Sequence, residues 1–151
     1  MASVEQEVLV PAAVADAWDA YFEPDAWPDW VDSFASVIEI DGYPEEGGTL
    51  RWKSVPAGRG VVLEKVLEHE HRRKHRVAFS DPSLEGEMIV TFAIEGDGTR
   101  IVASMDYRLL DKSVFARLGA LLFLKAQLRG TLRRSLDAFV PEVAGRAATP
   151  G

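Results

Sequence analysis

The polar residue with the most unusual setting is Lys125. It falls in an apolar helical stripe between Leu121 and Leu128, where an ammonium loses its water unless something pairs with it. Two outcomes fit that position. Either a cavity holds a ligand's carboxylate, enol or phenol against the ammonium, or the stem snorkels and carries the charge to solvent. Tyr107 and Met105 stand on the apolar face of an alternating run and could flank the same space. Trp52 alternates with Arg51 and Lys53, so it faces inward and offers a ring for stacking. Trp30 is a second ring within reach of such a cavity, whereas Trp18 lies in a helical stripe and reads as core.

Other chemistries are weaker. His69 and His71 share a strand face at a spacing that a metal could use, but Arg72, Arg73 and Lys74 beside them oppose a cation. Together with His75 they read as a solvated hairpin, and no metal site is expected. The basic run 72–76 lacks the interleaved aromatic residues of single-strand binders, so it reads as charge guarding a sheet edge, and no nucleic acid is expected. The acid pairs Glu45-Glu46 and Glu85 with Glu87 show no desolvated setting that would split their protonation. Gly58-Arg59-Gly60 is too short for a phosphate loop and there is no Gly-x-Ser-x-Gly elbow, so no cofactor is expected. The absence of Cys excludes disulfides, thiolate metal sites and a thiol nucleophile.

The elements that must position these residues follow from periodicity. Ser3 to Val10 reads as a strand, ended by Pro11. Val14, Ala17, Trp18, Tyr21 and Phe22 then recur at helical spacing, and a second short helix holds Trp27, Trp30 and Val31. Strand signals follow over 37–40, 49–55, 60–68, 73–80 and 85–95. A Gly-Asp-Gly-Thr turn at 96–99 leads to a last strand carrying Ile101, Ala103, Met105 and Tyr107 on one face. From Val114, steps of about 3.6 residues reach Val143 in one stripe, with Gly145 onward reading as a tail. Strands joined by short connections pair antiparallel. The expected fold is α+β: a curved antiparallel sheet of six to seven strands around a long C-terminal helix, with two short helices after the first strand. Residues 1–145 make a single domain and 146–151 a flexible tail.

Composition agrees with an ordinary globular chain. Of 151 residues, 47% are hydrophobic and 27% charged. The opening segment has no basic or apolar signal region, and the apolar run 118–124 is far below the roughly 20 residues of a bilayer span, so a cytoplasmic location without membrane insertion is expected. Charge is uneven. Residues 1–50 contain no Lys or Arg and carry −12, residues 51–111 are neutral, and residues 112–151 carry +5, giving the net −7. The acidic head is expected to face the basic tail within one domain, bringing Arg129, Arg133 or Arg134 close to acids in residues 16–32.

Val10-Pro11-Ala12 leading into Val14, Trp18 and Tyr21, followed by Trp27-Pro28-Asp29-Trp30, resembles the opening of the helix-grip superfamily. That superfamily includes START-like and polyketide cyclase/dehydrase-type proteins. The Gly-Asp-Gly-Thr-Arg turn at 96–100 and the closing Leu-Arg-Arg-Ser-Leu-Asp-Ala-Phe at 132–139 fit the same pattern, so the resemblance spans residues 3–143. It implies an apolar cavity between sheet and long helix, holding a small apolar or amphipathic molecule. Its alternatives are a polyketide cyclase/dehydratase-like enzyme using the same cavity or a chaperone-like module for a protein partner. No catalytic set matches residue by residue. The expected lining is Trp30, Trp52, Phe79, Met88, Val90, Phe92, Met105, Tyr107, Leu121, Lys125 and Leu128.

Overall fold

The computed structural model describes residues 2–110 and 118–147. Seven strands form one antiparallel sheet: β1 (Ala2–Val10), β2 (Phe34–Asp41), β3 (Thr49–Ser54), β4 (Val61–Glu70), β5 (Lys74–Ser80), β6 (Leu84–Glu95) and β7 (Gly98–Leu109). Their order is β1-β7-β6-β5-β4-β3-β2, so β2 to β7 form a meander and β1 adds beside β7. The longest hairpin pairs Leu84 with Leu109 through to Glu95 with Gly98. It turns at Gly96, whose φ of +59° suits a residue without a Cβ. Gly86 serves a different purpose: a Cβ there would lie 1.9 Å from the Asp106 carbonyl oxygen, so only glycine lets β6 and β7 approach so closely.

Between β1 and β2 come α1 (Val14–Tyr21) and the one-turn α2 (Trp27–Trp30), then α3 (Leu118–Ala147) closes the chain. Thr99, fully buried, donates its hydroxyl to the Ala12 carbonyl at 2.8 Å and ties the start of β7 to the approach to α1. In α3 the buried stripe is Leu128, Leu132, Leu136, Phe139 and Val143. This is shorter than the periodicity suggests. Leu121 and Lys125 are half-exposed, Leu122 and Phe123 are 62% and 65% exposed, and Val114 lies outside the described residues. The cause is where α3 finds partners. It packs on β1, α1 and α2, with polar and ring contacts from Arg133, Arg134, Ser135, Phe139 and Arg146.

At the other end the helix passes through the exposed Pro141 and runs to Ala147, so 145–147, expected to begin the tail, are helical. Buried Val143, together with Arg146 placed 3.9 Å from Glu23, anchors these last turns. The acidic head does meet the basic tail: Arg134 pairs with Asp32 at 3.1 Å, and Arg133 donates to the Glu7 carbonyl at 2.9 Å. Each exposed pair of this kind contributes about 0–1 kcal/mol, so the match orients α3 more than it stabilises it.

The hairpin β4–β5 departs from the solvated reading of its histidines. His69 and His75 are a cross-strand pair on the inner face, covered by Trp18 of α1 and by Phe22 just after it at ring distances of 4.8–5.2 Å. His71 stays exposed. The basic side chains point to the outer face, where Lys74 and Arg76 pair with Glu68 at 2.8 and 3.0 Å. Among the described residues no helix is long and apolar enough to cross a membrane.

Candidate functional site

Between the inner face of the sheet, α2 and the second half of α3 lies a cavity of about 120 Å³. Side chains with rings enclose it: Tyr21 from α1, Trp27 and Trp30 from α2, Phe34 from β2, Tyr43 from the β2–β3 connection and Trp52 from β3. Met88 and Val90 on β6, with Ala103 and Met105 on β7, form the floor, while Leu132 and Leu136 close it from α3. An apolar cavity of about 150 Å³ accommodates benzene, so this space is on the scale of one six-membered ring.

The polar groups gather at one side. Glu64 occupies an inward position of β4 between the buried Val62 and Val66, and its Oε2 accepts a hydrogen bond from the Trp52 indole at 2.8 Å. Burial pushes its carboxyl above the usual range, while the Trp52 bond and the Arg59 charge pull it back. Tyr21 and Tyr43 are pushed far above the ordinary phenol value, first by burial and then by the negative charge of Glu64. Both therefore stay protonated as donors, and among the described residues neither hydroxyl has a hydrogen-bond partner.

Arg59 reaches in from the β3–β4 loop. It lies 5.8 Å from the Trp52 ring centre and 5.0 Å from that of Phe79, and its Nε donates to Asp81 Oδ2 at 2.9 Å. Asp81 also accepts from the backbone N–H groups of Ser83 and Leu84, each at 2.8 Å, so this buried carboxylate is fully engaged. On the opposite side Asp32 lines the cavity but is held by Arg134.

His75 supplies the last polar wall. Its Nδ1 lies 3.0 Å from the Nδ1 of His69, a contact in which one neutral ring donates and the other accepts. Burial, then the His69 charge, push the His75 imidazole down to about 3. The His75 Nε2 and the Trp30 indole N–H are buried without a hydrogen-bond partner, and both residues line the cavity. No group of three or more His, Asp or Glu able to hold a metal occurs among the described residues.

Five residues of the expected lining surround the cavity: Trp30, Trp52, Met88, Val90 and Met105. The other six lie elsewhere. Phe79 is buried beneath Arg59, and Phe92 packs on Trp18 and Tyr21 at 5.0 and 5.6 Å. Tyr107 and Leu128 are buried in the core away from the cavity, with burial raising the Tyr107 phenol and the Arg129 charge moderating it. Leu121 and Lys125 sit half-exposed on the first half of α3 and are not part of this cavity's lining.

Glu64, Tyr21, Tyr43, Arg59 and His75 line the cavity outside the expected set: helical spacing reads Tyr21 as core, His75 reads as part of a solvated hairpin, and Glu64, Tyr43 and Arg59 are not read as lining residues. For Glu64 a signal existed: a charge at an inward position between Val62 and Val66 is the strand counterpart of Lys125 in its stripe. Tyr43 and Arg59 sit in connections, where no pattern tells which side chain turns inward.

A sheet folded against a long terminal helix, with an aromatic cavity between them, defines a helix-grip protein. The chain belongs to the polyketide cyclase/dehydrase and lipid transport family, whose model matches residues 1–144. Among solved structures it is similar to the Zhui aromatase/cyclase from Streptomyces sp. R1128, with 17% identity, a TM-score of 0.80, and 99% of this chain and 98% of that one covered. Norcoclaurine synthase from Thalictrum flavum, solved with dopamine and hydroxybenzaldehyde, superposes with a TM-score of 0.68 at 20% identity, covering 99% and 89%. A protein from Thermus thermophilus gives a TM-score of 0.68 at 20% identity, covering 98% and 100%. These likenesses establish the fold. No curated protein sequence matches the chain significantly.

Proposed function

We propose that the protein binds a small, mainly apolar molecule carrying one or two polar atoms in the cavity between the sheet and α3. The observation that carries this reading is a ring-lined space that encloses a carboxyl, two free phenols and an unpartnered indole N–H. Apolar burial supplies the affinity and the polar groups fix orientation, which is the usual division of labour in such sites. The test is titration with cyclohexylmethanol, followed by tryptophan fluorescence, since Trp27, Trp30 and Trp52 line the space. Saturable change that disappears in Ala103→Phe, a variant that fills the floor, supports binding. No change at millimolar ligand sinks it.

Glu64 favours a second reading, catalysis in the same cavity. A carboxyl whose proton affinity is raised by burial can take a proton from an acidic carbon and return it, and the two phenols can donate to a developing oxyanion. This is the chemistry a cyclase or dehydratase of poly-carbonyl chains needs, and the family description and the aromatase/cyclase neighbour favour that class. Such chains exceed 120 Å³, so this reading also requires the cavity walls to part. It predicts that cyclisation of a linear triketone, followed by absorbance, falls at least 100-fold in Glu64→Gln. An unchanged rate removes Glu64 from the mechanism.

A further inference from the structure

The charges around the cavity do not cancel. Arg59 is matched by Asp81 at 2.9 Å and Asp32 by Arg134 at 3.1 Å, and His75 is a neutral ring. Glu64 is the one lining carboxyl with no ion-pair partner among the described residues. Its only hydrogen bond there, from Trp52, leaves one carboxyl oxygen free. Around it stand Tyr21, Trp27, Trp30, Tyr43 and Trp52, whose electron-rich ring faces attract a positive charge. A lone carboxylate in an aromatic enclosure is unfavourable when empty and favourable with a cation beside it.

We propose that the ligand of this cavity is an organic cation, a protonated amine on a compact apolar body, with its ammonium against Glu64 and its body on the Met88 and Met105 floor. The inference rests on the cavity being a ligand site and adds the chemical class. An ammonium brings up to three donors, of which the free Glu64 oxygen takes one. The phenols of Tyr21 and Tyr43 accept others through their oxygen lone pairs, which gives both hydroxyls the partner they lack. An anion would find a donor in the Arg59 Nη2, which is buried without a hydrogen-bond partner, but it would meet the Glu64 charge in the same small space while the Arg59 Nε stays paired with Asp81. A neutral alcohol fits the space but leaves the carboxyl charge unmatched.

Three compounds of nearly equal shape separate these cases: cyclohexylmethylammonium, cyclohexylmethanol and cyclohexanecarboxylate, measured by calorimetry at pH 7. The cation is expected to bind at least tenfold more tightly than the alcohol, while the carboxylate does not bind. In Glu64→Gln, which keeps an oxygen for the Trp52 N–H, the alcohol still binds and the preference for the cation falls to about onefold. Alcohol binding as tight as the cation overturns the cation class and leaves the cavity reading standing. Tightest binding by the carboxylate overturns it too. If none of the three binds, the cavity reading fails and this proposal fails with it. Thermal melting of Glu64→Gln alongside confirms that the variant is folded, and a cation preference surviving in the folded variant overturns the role of Glu64.

Discussion

His75 makes stability depend on pH in a way that can be worked out beforehand. The ring is 3% exposed and its protonation is pushed from 6.5 to about 3 by burial first and by His69 second. The folded protein therefore resists a proton that the unfolded chain accepts. The stabilisation is fully present above about pH 6.5 and is lost as pH falls toward 3, because there the unfolded state binds more protons. At about 1.36 kcal/mol per unit, the loss between pH 7 and pH 5 attributable to this group is about 2 kcal/mol. Urea unfolding followed by circular dichroism at both pH values, on the unaltered protein and on His75→Gln, isolates the effect, since the carboxylates titrate alike in both. The unaltered protein should lose about 2 kcal/mol more than the variant. Equal losses would refute the claim that a buried neutral imidazole sits in this wall.

Three further perturbations test the framework. Arg59→Met strands the Asp81 carboxylate and should cost about 3–5 kcal/mol in urea unfolding; a cost below about 1 kcal/mol would show that the two backbone N–H groups suffice. Phe139→Ala removes a fully buried ring that contacts Tyr21 and Trp30 at 5.8 and 4.6 Å, and should cost about 3–5 kcal/mol by the same assay. Gly86→Ala forces a methyl against the Asp106 carbonyl and should slow or abolish protection of the β6–β7 amides in hydrogen exchange, whereas Gly119→Ala, with open space around it, should leave that protection intact.

Strands and helices were legible because hydrophobic alternation and helical spacing are local properties, and short connections left antiparallel pairing as the solution. The cavity was legible where the same alternation applied, at Trp52, Met88, Val90 and Met105. It was not legible in α3, because a stripe shows which face of a helix is apolar but not how far along it the covering elements extend. Lys125 thus reads as enclosed in sequence and is half-exposed in the fold, outside the lining of the cavity. Glu64 carried the same signal as Lys125 on a strand that does remain covered. Tyr43 depends on how the connection from β2 to β3 turns back over the sheet, which is a long-range outcome with no local signature.

The central claim, that a ligand occupies the space between the sheet and α3, is tested most directly by the methionines. The chain has three, and two of them, Met88 and Met105, form the cavity floor. With methyl-labelled methionine, titration with cyclohexylmethylammonium should move both of these resonances along a saturable curve. It should also give cross-relaxation from the ligand ring to both methyl groups. A ligand that binds without moving either resonance occupies another surface, and that result would contradict the account.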